Sequence, residues 1–357
     1  MKDIVIIGCT SNICKIRVFN NLNNLHKNIS SIFCCSREKL SSGDFRDYVK
    51  NEANLEDNKI HDRIHYVMCE YNYADYKSKL SPLIHNNTII YVSTPSLCYG
   101  EILRFYNELP CKSILVLEKP LSINYTEFKD VKEKFENNPN ILMIDHFICK
   151  RDILNVVKLY ENTKVTDICI RFLYADDVEN RLGYFDKTGF FIDMFQSHFL
   201  SIIYLLVGKR IETMLAGDSI LSNERKQYIN YGGTNDVDTY FYVEFKSDDL
   251  RIRVEAGKAM ESTIKELTIN HKKYKIDNHN DEYEIFFKGI MDGSIENMLP
   301  QQELFWKITE LVVNDISKTW GHYKKNKFAG IIEEIEEEKL QMNRTNVVTQ
   351  MVQDKPH

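Results

Sequence analysis

Two basic side chains four residues apart, His146 and Lys150, follow an apolar run that ends at Ile144. On a helical turn this spacing puts both side chains on one face, where they can clamp a phosphate monoester. The same spacing also fits an ordinary amphipathic turn. A third basic residue, Lys119, stands before Pro120 at the end of another apolar run. This position predicts a lysine at the carboxyl edge of a sheet, where α/β proteins bind ligands, although a surface lysine fits equally well.

A glycine turn near the start of the chain has the sequence of an anion site. Gly8 separates an apolar run, residues 4–7, from a helix-like segment, residues 12–25. The free amides and the dipole at a helix N-terminus favour an anion at such a turn. Gly8-Cys9-Thr10-Ser11-Asn12 keeps only the first glycine of the usual dinucleotide-binding run, so a plain strand-turn-helix is the alternative.

The end of the second apolar run carries another indication of a dinucleotide. A site for NAD places an acidic residue there to hold the ribose hydroxyls, whereas this chain has Ser36-Arg37. An arginine with a nearby serine suits the 2′-phosphate of NADP. Outside a nucleotide-binding fold, Arg37 would be an ordinary solvated arginine.

The first half of the chain predicts the scaffold that positions these residues. Short apolar runs at 4–7, 32–35, 64–69, 88–93, 114–117 and 141–144 alternate with helix-like segments. Runs of this length predict strands buried on both faces, and the alternation predicts right-handed βαβ units. The expected fold is a Rossmann-type doubly wound parallel sheet over residues 1–147, an NADP-binding domain.

From about residue 150 the pattern changes. Apolar and polar residues alternate at 168–174, 238–245 and 250–255, which predicts antiparallel strands with one covered face. Helices are predicted at 190–207, 281–291 and 301–320, a loop at 230–235, an exposed Glu-rich helix at 332–339 and a loose tail from residue 343. The expected second domain, residues 148–357, is α+β and is built on a mainly antiparallel sheet.

The composition excludes several classes of protein. Hydrophobic residues make up 43% and charged residues 27% of the chain, which predicts a packed core. A net charge of -6 argues against a nucleic-acid binder. Nine cysteines without ligand spacing predict reduced thiols and no metal site. The longest apolar stretch, residues 199–207, is about half a bilayer span, so no membrane association is expected, and the cytoplasm is predicted.

In its motifs and their order the chain resembles the glucose-6-phosphate dehydrogenase family. The matching segments are Gly8-Cys9-Thr10-Ser11-Asn12-Ile13-Cys14-Lys15, Ser36-Arg37, Tyr91-Val92-Ser93-Thr94-Pro95, Glu118-Lys119-Pro120, Ile144-Asp145-His146-Phe147-Ile148-Cys149-Lys150, Tyr184-Phe185-Asp186, Asp193-Met194-Phe195-Gln196-Ser197-His198, Gly257-Lys258-Ala259-Met260 and Asp281-Glu282-Tyr283-Glu284. Glu-Lys-Pro is shared with the broader oxidoreductases that act on inositols and other sugars. The Ile-Asp-His motif, the Gln-x-His helix and Gly-Lys-Ala are much more specific. Usual members of the family are considerably longer.

The resemblance implies an oxidation of a sugar phosphate by hydride transfer to NADP, with NAD as the alternative cofactor. His198 would be the general base, Asp145 its orienting partner and Lys119 a hydrogen-bond donor to the reacting oxygen. Without the resemblance, a histidine on an apolar helix is read as a satisfied core residue. The resemblance also implies a homodimer, which the second domain would form.

The resemblance further implies the binding residues. His146 and Lys150 would bind the phosphate of the sugar, Asp193 its hydroxyls, and Lys258 the sugar or its phosphate. The implied cofactor-binding residues are Gly8, Thr10, Ser11, Asn12, Ile13, Ser36, Arg37, Thr94, Pro95 and Lys119.

Several positions depart from the family pattern. Phe147 replaces a tyrosine, Ile192 an arginine and Ser197 an asparagine, and Ser262-Thr263 stand in place of glutamate and arginine. Each change removes a polar contact near the substrate, which costs affinity steeply. We therefore hypothesise that the hydride chemistry is kept while the substrate has drifted to a related phosphorylated sugar. The alternatives are a sugar or cyclitol dehydrogenase for a non-phosphorylated or amino-sugar substrate, and a non-catalytic NADP-binding protein.

Overall fold

The apolar runs of the first half form one parallel sheet, as the sequence predicts. A computed structural model describes residues 1–55, 57–136, 138–178, 182–215, 218–225 and 238–319. The strands are β1 Lys2–Ile7, β2 Ile29–Ser36, β3 Ile64–Met68, β4 Ile89–Val92, β5 Ile114–Glu118 and β6 Ile141–Ile144. Their order is β3-β2-β1-β4-β5-β6, and every neighbouring pair is parallel. The order reverses between β1 and β4, where doubly wound sheets open a ligand crevice at the carboxyl ends of their strands.

Helices connect these strands and cover the sheet. They are α1 Phe19–Asn24, α2 Ser42–Glu52, α3 Tyr73–Asp75, α4 Tyr99–Asn107 and α5 Tyr125–Phe135, with π-helical segments at Cys14–Val18 and Tyr76–Leu80. Local sequence explains where two of them begin. Ser41 and Asp44 form a capping box at α2, and the Asn124 side chain accepts a hydrogen bond from the backbone amide of Glu127 at α5.

The second half contains a six-stranded sheet that is mainly antiparallel, as predicted. Its strands are β7 Asp167–Leu173, β8 Asp218–Arg225, β9 Asp238–Lys246, β10 Arg251–Gly257, β11 Ile264–Ile269 and β12 Lys272–Lys275. The order is β12-β11-β7-β10-β9-β8, and only the β7–β10 pair is parallel. Strands β8, β11 and β12 were not predicted. Strand β12 is a lysine-rich edge, and it lacks the alternation that marks a covered face.

The remaining helices include a long apolar one that is largely buried. They are α6 Arg151–Tyr160, α7 Leu182–Phe191, α8 Leu200–Val207, α9 Glu282–Asp292 and α10 Gln302–Thr319, and a π-helical segment, Ile192–Phe199, joins α7 to α8. The stretch Lys187–Leu215 could cross a membrane by its length and composition, but 83% of its apolar window is buried inside the protein. That burial is typical of a core helix.

The two halves share one hydrophobic core, because α9 packs against α1 and α10 packs against α5. Each of the nine cysteines lies in the described part of the chain and is a free thiol. The predicted loop at 230–235, the Glu-rich helix at 332–339, the tail from residue 343 and the last residue of the predicted helix at 301–320 lie outside the described residues.

Candidate active site

The turn after β1 lies directly against the end of β4. Gly8 has a φ of 87°, and a Cβ there would come within 2.8 Å of the Ser93 carbonyl group. Only glycine tolerates both that backbone conformation and that contact. The Ser11 and Ser93 hydroxyls meet at 2.6 Å, which ties the two turns together. This arrangement brings the predicted residues Thr10, Ser11, Asn12, Ile13, Thr94 and Pro95 to one edge of the sheet.

The turn after β2 carries both predicted residues and one that was missed. The guanidinium of Arg37 lies 5.0 Å from the centre of the Tyr71 ring. The Ser36 hydroxyl lies 2.7 Å from the Tyr66 hydroxyl and also donates to the carboxylate of Glu38. Desolvation raises the pKa of Glu38, but the hydrogen bonds from Ser36, its own backbone amide and Thr10 outweigh this effect and hold the pKa below its usual value. Glu38 directly follows Ser36-Arg37, so its position was the available signal.

The imidazole of His198 and the carboxylate of Asp145 form a buried pair. Asp145 directly follows β6, and its Oδ1 lies 2.5 Å from Nδ1 of His198. The same oxygen accepts the backbone amide of Phe147 at 3.0 Å. Both side chains are about 1% exposed or less. The predicted orienting contact is therefore present, and it engages Nδ1 and leaves Nε2 as the other ring nitrogen.

Burial sets the protonation of this pair. It lowers the pKa of His198 well below the usual value, and the nearby Lys119 ammonium lowers it further. Burial also raises the pKa of Asp145 to about 7. The pair therefore favours an uncharged imidazole near neutral pH, which is the form that can accept a proton.

The π-helical segment Ile192–Phe199 supplies both His198 and Asp193. The two residues are five apart, a spacing that matches the i to i+5 hydrogen bonding of a π-helix and would diverge on an α-helix. The Ser197 hydroxyl follows the same pattern, since it donates to the carbonyl of Ile192 at 3.0 Å. Irregular helix geometry thus places a base and an acid on one face.

Asp193 connects this helix to the edge of the parallel sheet. Its Oδ1 accepts Nζ of Lys119 at 3.0 Å and the hydroxyl of Tyr184 at 2.8 Å. Lys119 directly follows β5 and precedes a cis peptide bond to Pro120. Burial raises the pKa of Asp193, but the Lys119 ammonium, His198 and the hydrogen bond from Tyr184 together outweigh that effect and hold the pKa below its usual value. Lys119, Asp145, Asp193 and His198 are thus brought together, and Tyr184 joins them without having been predicted as a site residue.

His146, the first residue of the predicted phosphate clamp, lies beside His198, and the segment that carries it is not helical. Residues 146–149 make a non-helical turn, and Lys150 precedes α6. This differs from the expected helical turn because the chain must first turn away from β6. The His146 ring centre lies 4.8 Å from that of His198. Nδ1 of His146 is buried and has no hydrogen-bond partner among the described residues, so it is a polar atom available to a ligand.

Other charged groups lie around Lys150 and at the end of β10. Nζ of Lys150 and Nε of Arg17 each lie 3.9 Å from the same oxygen of Glu282, a buried residue at the start of α9. Lys258 directly follows β10 and lies 5.2 Å from the Tyr174 ring, and Nζ donates to the Asp177 carbonyl at 3.5 Å. Arg17 and Glu282 were not predicted as site residues, although Glu282 lies in the family-like segment Asp281-Glu282-Tyr283-Glu284, which was the available signal.

Two further features differ from expectation or were missed. Phe147 stacks on His198 with ring centres 3.9 Å apart, so the position at which the family pattern has a tyrosine covers the imidazole with an apolar ring. Glu118 is buried and accepts the hydroxyls of Tyr91 at 2.5 Å and Tyr283 at 2.8 Å. Burial raises the pKa of Glu118 to about 7. Within the described residues, no group of histidine, cysteine and carboxylate side chains is arranged to hold a metal ion.

Family models match most of the described chain. The model "Glucose-6-phosphate dehydrogenase, NAD binding domain" matches residues 5–155, and "Glucose-6-phosphate dehydrogenase, C-terminal domain" matches residues 154–227. Together they extend over residues 5–227, well over half of the 357 residues.

Individual relatives and solved structures are similar to the chain at low sequence identity. The chain is 26% identical over 261 residues to the glucose-6-phosphate 1-dehydrogenase of Borreliella burgdorferi, which covers 63% of this chain and 52% of that protein. The chain spans about half the length of the curated relatives it matches. A glucose-6-phosphate dehydrogenase solved with its substrate glucose-6-phosphate has a TM-score of 0.75 at 16% identity and covers 93% of this chain and 96% of that one. A levoglucosan dehydrogenase solved with NADH and levoglucosan gives a TM-score of 0.63 at 13% identity, with 89% and 97% covered. Both structures support the fold.

Proposed function

The chain belongs to the glucose-6-phosphate dehydrogenase family, and on that premise we propose that it is a nicotinamide-dependent oxidoreductase acting on a hydroxyl of a phosphorylated sugar. One observation carries the proposal. A buried imidazole backed by a carboxylate lies beside a lysine–aspartate pair at the carboxyl edge of a doubly wound sheet. That edge is where such folds bind their ligands.

The residues at this edge fit a dinucleotide. Gly8 leaves no room for a side chain between β1 and the end of β4, and the Thr94 hydroxyl is buried with no partner in the described chain. Amides at the start of a helix suit the pyrophosphate, so Thr10, Ser11, Asn12, Ile13, Thr94 and Pro95 would line it. A bound nicotinamide would supply the acceptor for the hydride that leaves the sugar carbon. Ser36 and Arg37 support NADP as a cofactor, because a guanidinium suits a 2′-phosphate.

His198 and its neighbours can accept the proton of the sugar hydroxyl and stabilise the charges that form. Nε2 takes the proton, since Nδ1 is engaged by Asp145. The carboxylate holds the ring in this orientation and stabilises the imidazolium that forms. Lys119 donates a hydrogen bond to the oxygen as its charge grows, and Asp193 positions the ammonium of Lys119 through their 3.0 Å contact.

Substrate binding falls to the basic side chains beyond His198. His146, Lys150 and Lys258 would hold the phosphate, and Asp193 has remaining acceptor capacity for a hydroxyl. Phe147 and Ser197 offer fewer polar contacts than the family pattern, so we propose a phosphorylated sugar related to glucose 6-phosphate. Turnover of glucose 6-phosphate itself with ordinary efficiency would refute this drift.

A spectrophotometric screen tests the proposal. Purified protein is incubated with phosphorylated and free sugars and with NADP or NAD, and nicotinamide reduction is followed. His198→Asn should lower kcat by about 100-fold or more, because it removes the general base. Lys150→Gln should raise KM for the phosphorylated sugar and leave any turnover of free sugars unchanged. Reduction of the dinucleotide that is equal in wild type and His198→Asn contradicts the assigned base.

A free sugar is the second candidate substrate, because the apolar Phe147 ring and the Glu282 carboxylate both border the proposed phosphate clamp. Efficient turnover of free sugars with none of their phosphates would favour it. Dinucleotide binding without turnover of any sugar would favour a non-catalytic protein.

We also propose a homodimer, which the resemblance implies. Sedimentation velocity should show a species of twice the chain mass, and a monomer at all concentrations would contradict it.

A further inference from the structure

A carboxylate at the dinucleotide edge is not used by the proposed oxidation. Glu38 is exposed, yet it is held at two points. The Thr10 hydroxyl donates to its Oε1 at 3.1 Å, and the Ser36 hydroxyl donates to its Oε2. Thr10 belongs to the turn after β1, and Ser36 ends β2. The carboxylate therefore bridges the two turns that border the dinucleotide crevice.

The two neighbours at this turn offer opposite chemistry. A carboxylate has about four acceptor positions, so the hydrogen bonds from Thr10, Ser36 and its own backbone amide leave acceptor capacity for a ligand. In dinucleotide-binding folds an acidic residue at the end of the second strand holds the ribose hydroxyls of NAD. Arg37 stands next to it, stacked on Tyr71, and offers a cation to a 2′-phosphate.

Resting on the dinucleotide site of the proposed function, we propose that Glu38 sets the choice of cofactor. Its carboxylate accepts hydrogen bonds from the free 2′- and 3′-hydroxyls of NAD and repels the 2′-phosphate of NADP, so the chain binds NAD as well as NADP. Like charges about 5 Å apart at a protein surface change affinity by roughly tenfold. Arg37 offsets this repulsion, and the balance of the two residues gives dual use.

Binding of two nucleotide fragments tests this without relying on turnover. Isothermal titration calorimetry with 5′-ADP and 2′,5′-ADP reports the effect of the 2′-phosphate alone. Wild type should bind both. Glu38→Gln, which keeps the shape of the side chain, should strengthen 2′,5′-ADP by about tenfold and weaken 5′-ADP. Arg37→Gln should weaken 2′,5′-ADP and leave 5′-ADP nearly unchanged.

A matched control and the opposing outcomes complete the test. Glu133→Gln removes the same charge from the exposed face of α5 and should change neither affinity. Thermal unfolding checks that each variant is folded. An unchanged ratio of the two affinities in Glu38→Gln overturns the role of Glu38 and leaves the proposed oxidation standing. Binding of neither fragment to folded wild type removes the dinucleotide site, and the proposed function fails with this inference.

Discussion

At the residue scale, the central contact is the 2.5 Å approach of His198 Nδ1 to Asp145 Oδ1. Burial disfavours charge on both groups, so it lowers the pKa of the imidazole and raises the pKa of the carboxyl to about 7. Because the two groups are in contact, they take up protons as a pair. In the proposed mechanism, the first proton added to this pair abolishes its ability to accept a proton from the substrate.

This coupling predicts the pH dependence of the reaction. The active form is deprotonated, so kcat/KM should be constant above a pH of about 7 and fall as the pH is lowered through that value. Asp145→Asn removes the carboxylate, so the acid limb should move to lower pH, and the plateau should drop. Initial rates between pH 5 and 9 give both profiles. An acid limb at the same pH in the variant would show that Asp145 does not belong to the titrating pair.

At the scale of the element, the site depends on two short irregularities. A π-helical segment lets Asp193 and His198 share one face, and a left-handed glycine turn brings β1 against the end of β4. Regular elements would separate these groups, since an α-helix turns residues five apart to different faces.

The glycine turn predicts the outcome of a single substitution. Gly8→Ala should destabilise the protein by about 1–3 kcal/mol, because its φ is positive and its Cβ would meet the Ser93 carbonyl. The displacement of the Gly8 turn that relieves this contact should also abolish dinucleotide binding. Urea unfolding and calorimetry measure the two effects.

Gly183→Ala is the matched control, since nothing lies within 4 Å of its Cβ and its φ is not in the left-handed range. It should leave stability within about 1 kcal/mol of wild type. Equal stability of the two alanine variants would show that the Gly8 turn is not constrained.

At the scale of the whole molecule, the proposed active site is assembled across the two halves of the chain. Asp145 and Lys119 follow strands of the parallel sheet, whereas His198 and Asp193 come from the long helix of the second half. Glu118 strengthens the contact between the two halves, because its carboxyl group accepts hydrogen bonds from a hydroxyl on β4 and a hydroxyl on α9. The homodimer and the cytoplasmic location stay predictions.

The Glu118 contact predicts a dependence of stability on pH. Folding raises its pKa from an ordinary 4.5 to about 7, so the folded state holds the proton more tightly. Stability from this group is therefore full below pH 4.5 and is lost as the pH rises through 7. Glu118→Gln removes this loss. Relative to wild type, its free energy of unfolding should therefore rise by roughly 3 kcal/mol between pH 5 and pH 8.

Thermal unfolding of both proteins at these two pH values measures the difference. Glu133→Gln, on the exposed face of α5, serves as the control and should track wild type. If the difference in stability between Glu118→Gln and wild type is the same at pH 5 and pH 8, folding does not raise the pKa of Glu118.

Local pattern was sufficient for much of the fold. All six strands of the parallel sheet were predicted within a few residues, because strands buried on both faces must be continuous apolar runs. The site residues Lys119, Asp145, Asp193 and His198 were also named, because they lie in motifs whose residue types and order resemble those of the family. Strands β11 and β12 escaped, since they join through Asn270-His271, both at positive φ, and not through the Asn-Gly pair that signals such a turn.

By itself the sequence determined which segments form the parallel sheet and which residue types its edge presents. Only the tertiary structure decided which of those residues meet. The contact of Thr10 with Glu38, that of Glu118 with Tyr283 and that of Glu282 with Lys150 join residues from 28 to 165 positions apart. Such contacts depend on how strands and helices pack in space, and no local periodicity encodes the distance between two side chains that approach from different elements.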